Sequence, residues 1–188
     1  MKNETRSYRK SKTARPEEPS HELRNITQMV KGWTESIEKG NRGQRIICSY
    51  LIEQGYQASP ILYYKDEQTS TTLKGYSKEE ATIFSPDILA VNEHEIFFAD
   101  AKLKTYTGSL GVINKTAYDS YRSTMQKLTG IGFRIYFAIE KPNKEIYLLE
   151  KLIDPKDFPE PYLESDGRLC YRIPKEHLKN LGSYTGAA

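Results

Sequence analysis

The sequence predicts an α/β domain in which a central mixed β-sheet is flanked by helices, in the order α-β-β-β-α-β-β. Three observations predict it. Apolar residues recur at helical spacing before residue 55 and again over 114–129. Short runs rich in β-branched and aromatic residues lie between and after those stretches, and polar or Gly/Pro-bearing turns separate them. Helices interleaved with groups of strands imply a sheet covered on both faces.

Each element follows from its residues. Residues 1–22 are polar, carry Pro16 and Pro19 and show no period, so they read as a flexible basic arm. From Leu23 to Glu38, Ile26, Val30, Trp33 and Ile37 form one helical stripe. Gly40 and Gly43 are expected to interrupt it. A second helical run then places Gln44, Ile47 and Leu51 on one face and ends at Gly55 as a C-cap. Residues 57–64 (QASPILYY) read as a first strand, and 65–80 as a long polar loop. Residues 86–91 (PDILAV) and 95–103 (EIFFADAKL) read as a hairpin joined across Asn92, Glu93 and His94. After a loop over 104–111, Ala117, Tyr121, Met125 and Leu128 mark an amphipathic helix over 114–129. Residues 133–139 and 145–149 flank the turn KPNK and close the sheet. The main domain is expected over 23–153, with a Pro-rich extension packed on it over 154–188.

Composition excludes several classes. Of 188 residues 37% are apolar and 28% charged, which fits neither a membrane protein nor a wholly disordered chain. The first twenty residues lack the apolar core of a secretory signal, so the expected location is the cytoplasm, or the nucleus if the source is eukaryotic. Cys48 and Cys170 lie far apart with no partner at zinc-ligand spacing, and His21, His94 and His177 are scattered. A bound metal would therefore be held by carboxylates.

The net charge of +3 is unevenly spread. Lys2, Arg6, Arg9, Lys10, Lys12 and Arg15 face only Glu4 in the arm, and Lys102, Lys104, Lys115, Arg122, Lys127 and Arg134 face only Asp119. Local basic clusters of this kind suit contact with phosphate. Lys104, Lys115, Tyr118 and Arg122 are candidates for gripping a nucleic-acid backbone, the last two one helical turn apart.

The chemistry is concentrated in SPDILAVNEHEIFFADAKLK, residues 85–104. Asp87 begins one strand of the hairpin and Asp100 lies near the end of the other. Lys102 follows two residues later, so its side chain leaves the same face as Asp100. Two close carboxylates in a partly buried site invite a hard divalent cation with oxygen ligands. Such an ion can polarise a phosphodiester and activate water, while an ammonium orients that water or balances developing charge.

These residues resemble the PD-(D/E)XK nuclease superfamily: Pro86-Asp87 matches the "PD" and Asp100-Ala101-Lys102 the "DXK". The resemblance implies a restriction-endonuclease-like core and metal-dependent hydrolysis of DNA. It implies that Asp87 and Asp100 bind Mg2+ or Mn2+, joined by the carbonyl of Ala101, and that Lys102 serves the attacking water. It extends over roughly 43–149. GQRIICSYLIEQGY, residues 43–56, is similar to the first helix of Holliday junction resolvase-like endonucleases, with Leu51, Ile52, Glu53, Gly55 and Tyr56 fitting its end. Gln44 stands where that family carries a glutamate. Three readings follow: Gln44 is itself the ligand, which register favours; Glu38 or Glu35 replaces it, Glu38 first; or the metal site is weakened. With no separate recognition domain visible, specificity would come from DNA shape, from a homodimer or from a partner protein, as in resolvases and phage or mobile-element nucleases. The alternative function is a catalytically weakened DNA-binding or assembly subunit on the same fold.

Overall fold

A computed structural model describes residues 21–61, 86–164 and 167–185. The chain divides into two compact units, Met1–Thr34 and Glu35–Ala188. The arm expected over residues 1–22 lies, but for its last two residues, outside the described residues, as do residues 62–64 of the first expected strand and the loop over 65–80.

The first element, α1, is one continuous helix, His21–Glu53. The break expected at Gly40 and Gly43 is not there. A glycine inside a helix costs only about 1 kcal/mol relative to alanine, and Gly43 serves a close contact: a Cβ on it would stand 3.1 Å from Cβ of Leu103. The helix ends as expected at Gly55, whose φ of 87° is open to glycine. The Tyr56 and Gly55 amides donate back to the Leu51 and Ile52 carbonyls, at 3.0 Å each, closing a Schellman motif.

Strands β1 (Gln57–Pro60), β2 (Ile88–Val91) and β3 (Ile96–Tyr106) form an antiparallel meander. The Asn92 side chain accepts from the amides of His94 and Glu95, at 2.9 Å each, and so fixes the β2–β3 turn. β3 is longer than expected, taking up the first residues of the loop over 104–111. β4 (Val112–Asn114) follows, and the Asn114 side chain caps α2 (Lys115–Met125) by accepting from the Ala117 amide at 3.1 Å. α2 crosses over to β5 (Gly132–Lys141), which lies parallel to β3, and β6 (Glu145–Leu149) returns antiparallel. Apart from the short β4, the elements up to β6 follow the expected α-β-β-β-α-β-β order of an α/β domain, with a mixed sheet.

The segment beyond residue 154 is more regular than its composition suggests. β7 (Tyr162–Leu163) and β8 (Leu169–Arg172) join β4 in a three-stranded sheet. β9 (Lys179–Ser183) completes the main sheet, whose order is β1-β2-β3-β5-β6-β9.

Side-chain alternation along β3 and β5 divides the core in two. On the α1 face Ile47 and Leu51 pack with Ile88, Ala90, Phe97, Ala99 and Leu103. On the α2 face Tyr118 and Tyr121 pack with Ile135, Phe137, Phe158 and Tyr171. The α2 face of β3 therefore carries Asp100, Lys102 and Lys104. Among the described residues no helix is long and apolar enough to cross a membrane.

Candidate metal centre

The site forms where β2 stops and β3 continues. The register ends at Ile88 opposite Ala99, and one step further brings Asp87 alongside Asp100. In a strand the N–H and C=O of one residue point to the same neighbour. Beyond Ile88 those of Ala101 face a gap in the ladder. The Asp87 carboxylate fills it, its Oδ2 accepting from the Ala101 amide at 2.7 Å. The carboxylate thus lies near the plane of the sheet and can be reached from both faces. Gln44, buried on α1, donates from Nε2 to Asp87 Oδ1 at 3.2 Å. Asp100, 1% exposed, stands on the other side.

Asp100 is held by two donors. Lys102 Nζ is 2.8 Å from each of its oxygens, and the hydroxyl of Tyr121 on α2 donates to Oδ1 at 2.8 Å. Burial, then the Asp100 charge, push the Asp87 carboxyl up to about 7, outweighing the opposing pull of Lys102 and the Ala101 amide. Burial opposes the charge on Lys102, but Asp100 and Asp87 outweigh it and hold its pKa above the ordinary lysine value. Lys102 is therefore an ammonium at neutral pH and a donor to Asp100.

The donor set fits a hard cation. Gln44 Oε1 and Asp100 Oδ2 are buried and make no hydrogen bond, Oδ2 keeping only its ion-pair contact with Lys102. Buried polar oxygens without partners are uncommon and call for an explanation. Together with Asp87 Oδ1 and the Ala101 carbonyl they make an all-oxygen set with two carboxylates, the type that suits Mg2+ or Mn2+. Among the described residues no group of three or more His, Cys, Asp and Glu side chains could hold a metal, so amide and carbonyl oxygens must complete any such site here. Glu35 and Glu38 are exposed, whereas Gln44 is buried against Asp87.

Solved structures match this chain. The Holliday junction resolvase Hjc of Archaeoglobus fulgidus matches over 74% of this chain and 86% of its own, at 11% sequence identity and a TM-score of 0.42. No family model and no curated protein matches the sequence.

The residues read from sequence as backbone contacts separate. Tyr118 is 0% exposed, and its hydroxyl donates to the Ile153 carbonyl and accepts from the Ile153 amide, both at 3.0 Å. It is a core residue and cannot reach a phosphate, which corrects the expectation. Lys115 pairs with Asp119 and Arg122 with Asp154. Arg134, part of the same basic run, is held by both oxygens of Glu95 at 3.0 and 2.7 Å and lies over the Phe97 ring. Lys104 is half-buried on the Asp100 side of β3.

Tyr121 is the site residue that sequence reasoning missed. Its helical spacing assigns it to the core, where it is, and only a buried carboxylate opposite reveals what its hydroxyl does.

Proposed function

We propose that the chain is a metal-dependent nuclease that hydrolyses phosphodiester bonds in DNA. The observation that carries this reading is the convergence of Asp87, Asp100 and Lys102 at the end of β2, beside buried oxygens of Gln44 and Asp100 that lack hydrogen bonds. Asp87, Asp100, Gln44 and the Ala101 carbonyl would hold Mg2+ or Mn2+. When bound, such an ion polarises the phosphate and lowers the pKa of water at neutral pH.

The protein's own residues do the rest. The Ala101 amide and Gln44 orient Asp87, and Tyr121 and Lys102 orient Asp100. Lys102, an ammonium beside the scissile phosphate, donates to the attacking water or to a non-bridging phosphate oxygen and offsets charge that grows in the transition state. An isologous homodimer would suit cleavage of both strands of a two-fold symmetric substrate.

A second reading rests on Gln44. A neutral amide contributes no charge to the metal, which favours a DNA-binding subunit with weakened catalysis. Incubation with branched, single-stranded and duplex DNA in Mg2+, Mn2+ or chelator separates the two. We expect cutting that requires metal and disappears in a folded Asp100→Ala variant. DNA binding without cutting in either metal would establish the second reading instead.

A further inference from the structure

We propose that Tyr106 and Lys141 form a platform for an unpaired base of DNA, at the far end of the face that carries Asp100 and Lys102, so that the chain prefers DNA with open bases over intact duplex. That the DNA held there is also the DNA cut rests on the nuclease reading; the platform itself does not.

Register places the two residues. β3 and β5 run parallel, and their pairing keeps one offset from Asp100, opposite Ile135, to Tyr106, opposite Lys141. An unbroken offset preserves alternation, so Asp100, Lys102, Lys104 and Tyr106 leave the same face of β3. Lys141 follows Ile139 by two residues on β5, and Ile139 is buried on that same face. The last residues of both strands therefore stand side by side, with Lys141 Nζ 6.0 Å from the centre of the Tyr106 ring. Tyr106 lies four residues beyond Lys102, roughly 13 Å along a strand. A few nucleotides of extended single-stranded DNA cover that span.

Exposure sets this ring apart. Among the described side chains, Tyr106 is the one exposed aromatic, at 58%. The hydroxyls of Tyr56, Tyr118, Tyr121 and Tyr171 are bonded to Glu95, Ile153, Asp100 and Asp119. That of Tyr106 makes no hydrogen bond among the described residues. Its ring is thus fixed at the end of a paired strand and open to a ligand. A base presents an apolar face that matches a tyrosine ring, whichever base it is. The phosphates beside it carry the charge that Lys141 and Lys104 attract. At 6.0 Å the contact of Lys141 with the ring is at the outer limit of cation–π attraction, so its ammonium is available to a phosphate. In intact duplex the base faces are covered by their neighbours, and the backbone charge alone is left to bind.

The test is binding by the full chain in Ca2+ to a single-stranded DNA containing 2-aminopurine and to the same sequence as a duplex. Tyr106→Ala, Tyr106→Phe and Lys141→Ala are compared with the wild type. Leu163→Ala, which removes another exposed apolar side chain, is the control. We expect Tyr106→Ala to bind the single strand on the order of tenfold more weakly and the duplex within about twofold of the wild type. Tyr106→Phe should keep the wild-type affinity, and both ring-bearing proteins should quench 2-aminopurine emission where Tyr106→Ala does not. Lys141→Ala should reduce the slope of log K against log salt by about 1. Melting temperatures should match throughout, since neither side chain is buried. Single-strand affinity unchanged in Tyr106→Ala would overturn the proposal, as would an equal loss for duplex or a wild type that binds no single strand. So would a loss shared by Tyr106→Phe, which assigns it to the hydroxyl, or a salt slope unmoved in Lys141→Ala. Failure of the two readings can be told apart. Metal-dependent cutting by a protein whose single-strand binding ignores Tyr106 defeats the platform alone. Ring-dependent binding by a wild type that cuts in no metal defeats the nuclease alone.

Discussion

The hydroxyl of Tyr121 meets the carboxylate of Asp100 at 2.8 Å inside the core, linking α2 to the strand that carries the candidate metal ligand. This bond leaves Asp100 Oδ2 as the oxygen without a hydrogen bond. Tyr121 is therefore a positioning residue. A hydrogen bond to a charged acceptor contributes about 1.5–3 kcal/mol. We expect Tyr121→Phe to lower the melting temperature by several degrees and to weaken Mn2+ binding roughly tenfold, the order of magnitude such a bond carries. Thermal denaturation with and without Mn2+ checks both, and equal metal-induced shifts in the two proteins would show that Asp100 is held without it.

Asp87 sets a pH dependence with a definite sign. Asp87 titrates near 7 in the folded chain and near 3.9 when unfolded. Between those values the folded state keeps a proton that the unfolded state has lost. Stability of the metal-free protein therefore falls as pH rises through this window, by up to about 1.4 kcal/mol per pH unit from this group, and levels above 7. Metal binding needs the ionised carboxylate, so protection by Mg2+ should grow as pH rises through 7. Melting curves from pH 5 to 8.5, in chelator and in Mg2+, should diverge with rising pH. Asp87→Asn should remove both trends and melt higher than the wild type in chelator at pH 8.

Gln44 can be tested by restoring the charge it lacks. Gln44→Glu places a third carboxylate beside Asp87, and without metal the like charges should lower stability. With metal the order should reverse, with Mn2+ bound on the order of tenfold more tightly, since ligand charge tunes such affinities. Calorimetric titration of both proteins checks this. Equal affinities would mean that Gln44 is not a ligand.

Gly43 governs how closely α1 approaches β3. Alanine there would gain about 1 kcal/mol of helix propensity yet set its Cβ 3.1 Å from Leu103 Cβ and 3.4 Å from Leu103 N. At Leu103 β3 is held by its pairing with β5, opposite Ala138, and cannot retreat freely. We expect Gly43→Ala to be destabilising, and to weaken metal binding because Gln44 moves with the helix. A methyl group at Gly40 would meet nothing within 4 Å, so Gly40→Ala should be neutral or stabilising and serves as the control in chemical denaturation.

Local patterns carried most of what the sequence revealed. Asp100 and Lys102 share a face because strands alternate, and Gln44 shares one with Ile47 and Leu51 because helices repeat every 3.6 residues. What remained hidden depended on partners distant in the chain. Tyr118 and Tyr121 are both buried on α2, but one closes on Ile153 and the other on Asp100. The basic run over 102–134 looked uniform until Glu95 and Asp154, outside it, took up Arg134 and Arg122. β9 was unreadable for a similar reason: KNLGS has no alternation of its own, and it becomes a strand because β6 offers an open edge.

Direct titration of the wild type, Asp87→Ala, Asp100→Ala and Lys102→Ala with Mn2+ addresses the central claim most closely. We expect saturable binding in the wild type, its loss in both aspartate variants and its retention in Lys102→Ala. No binding by the folded wild type, or binding unchanged when either aspartate is removed, would contradict a metal centre at the end of β2.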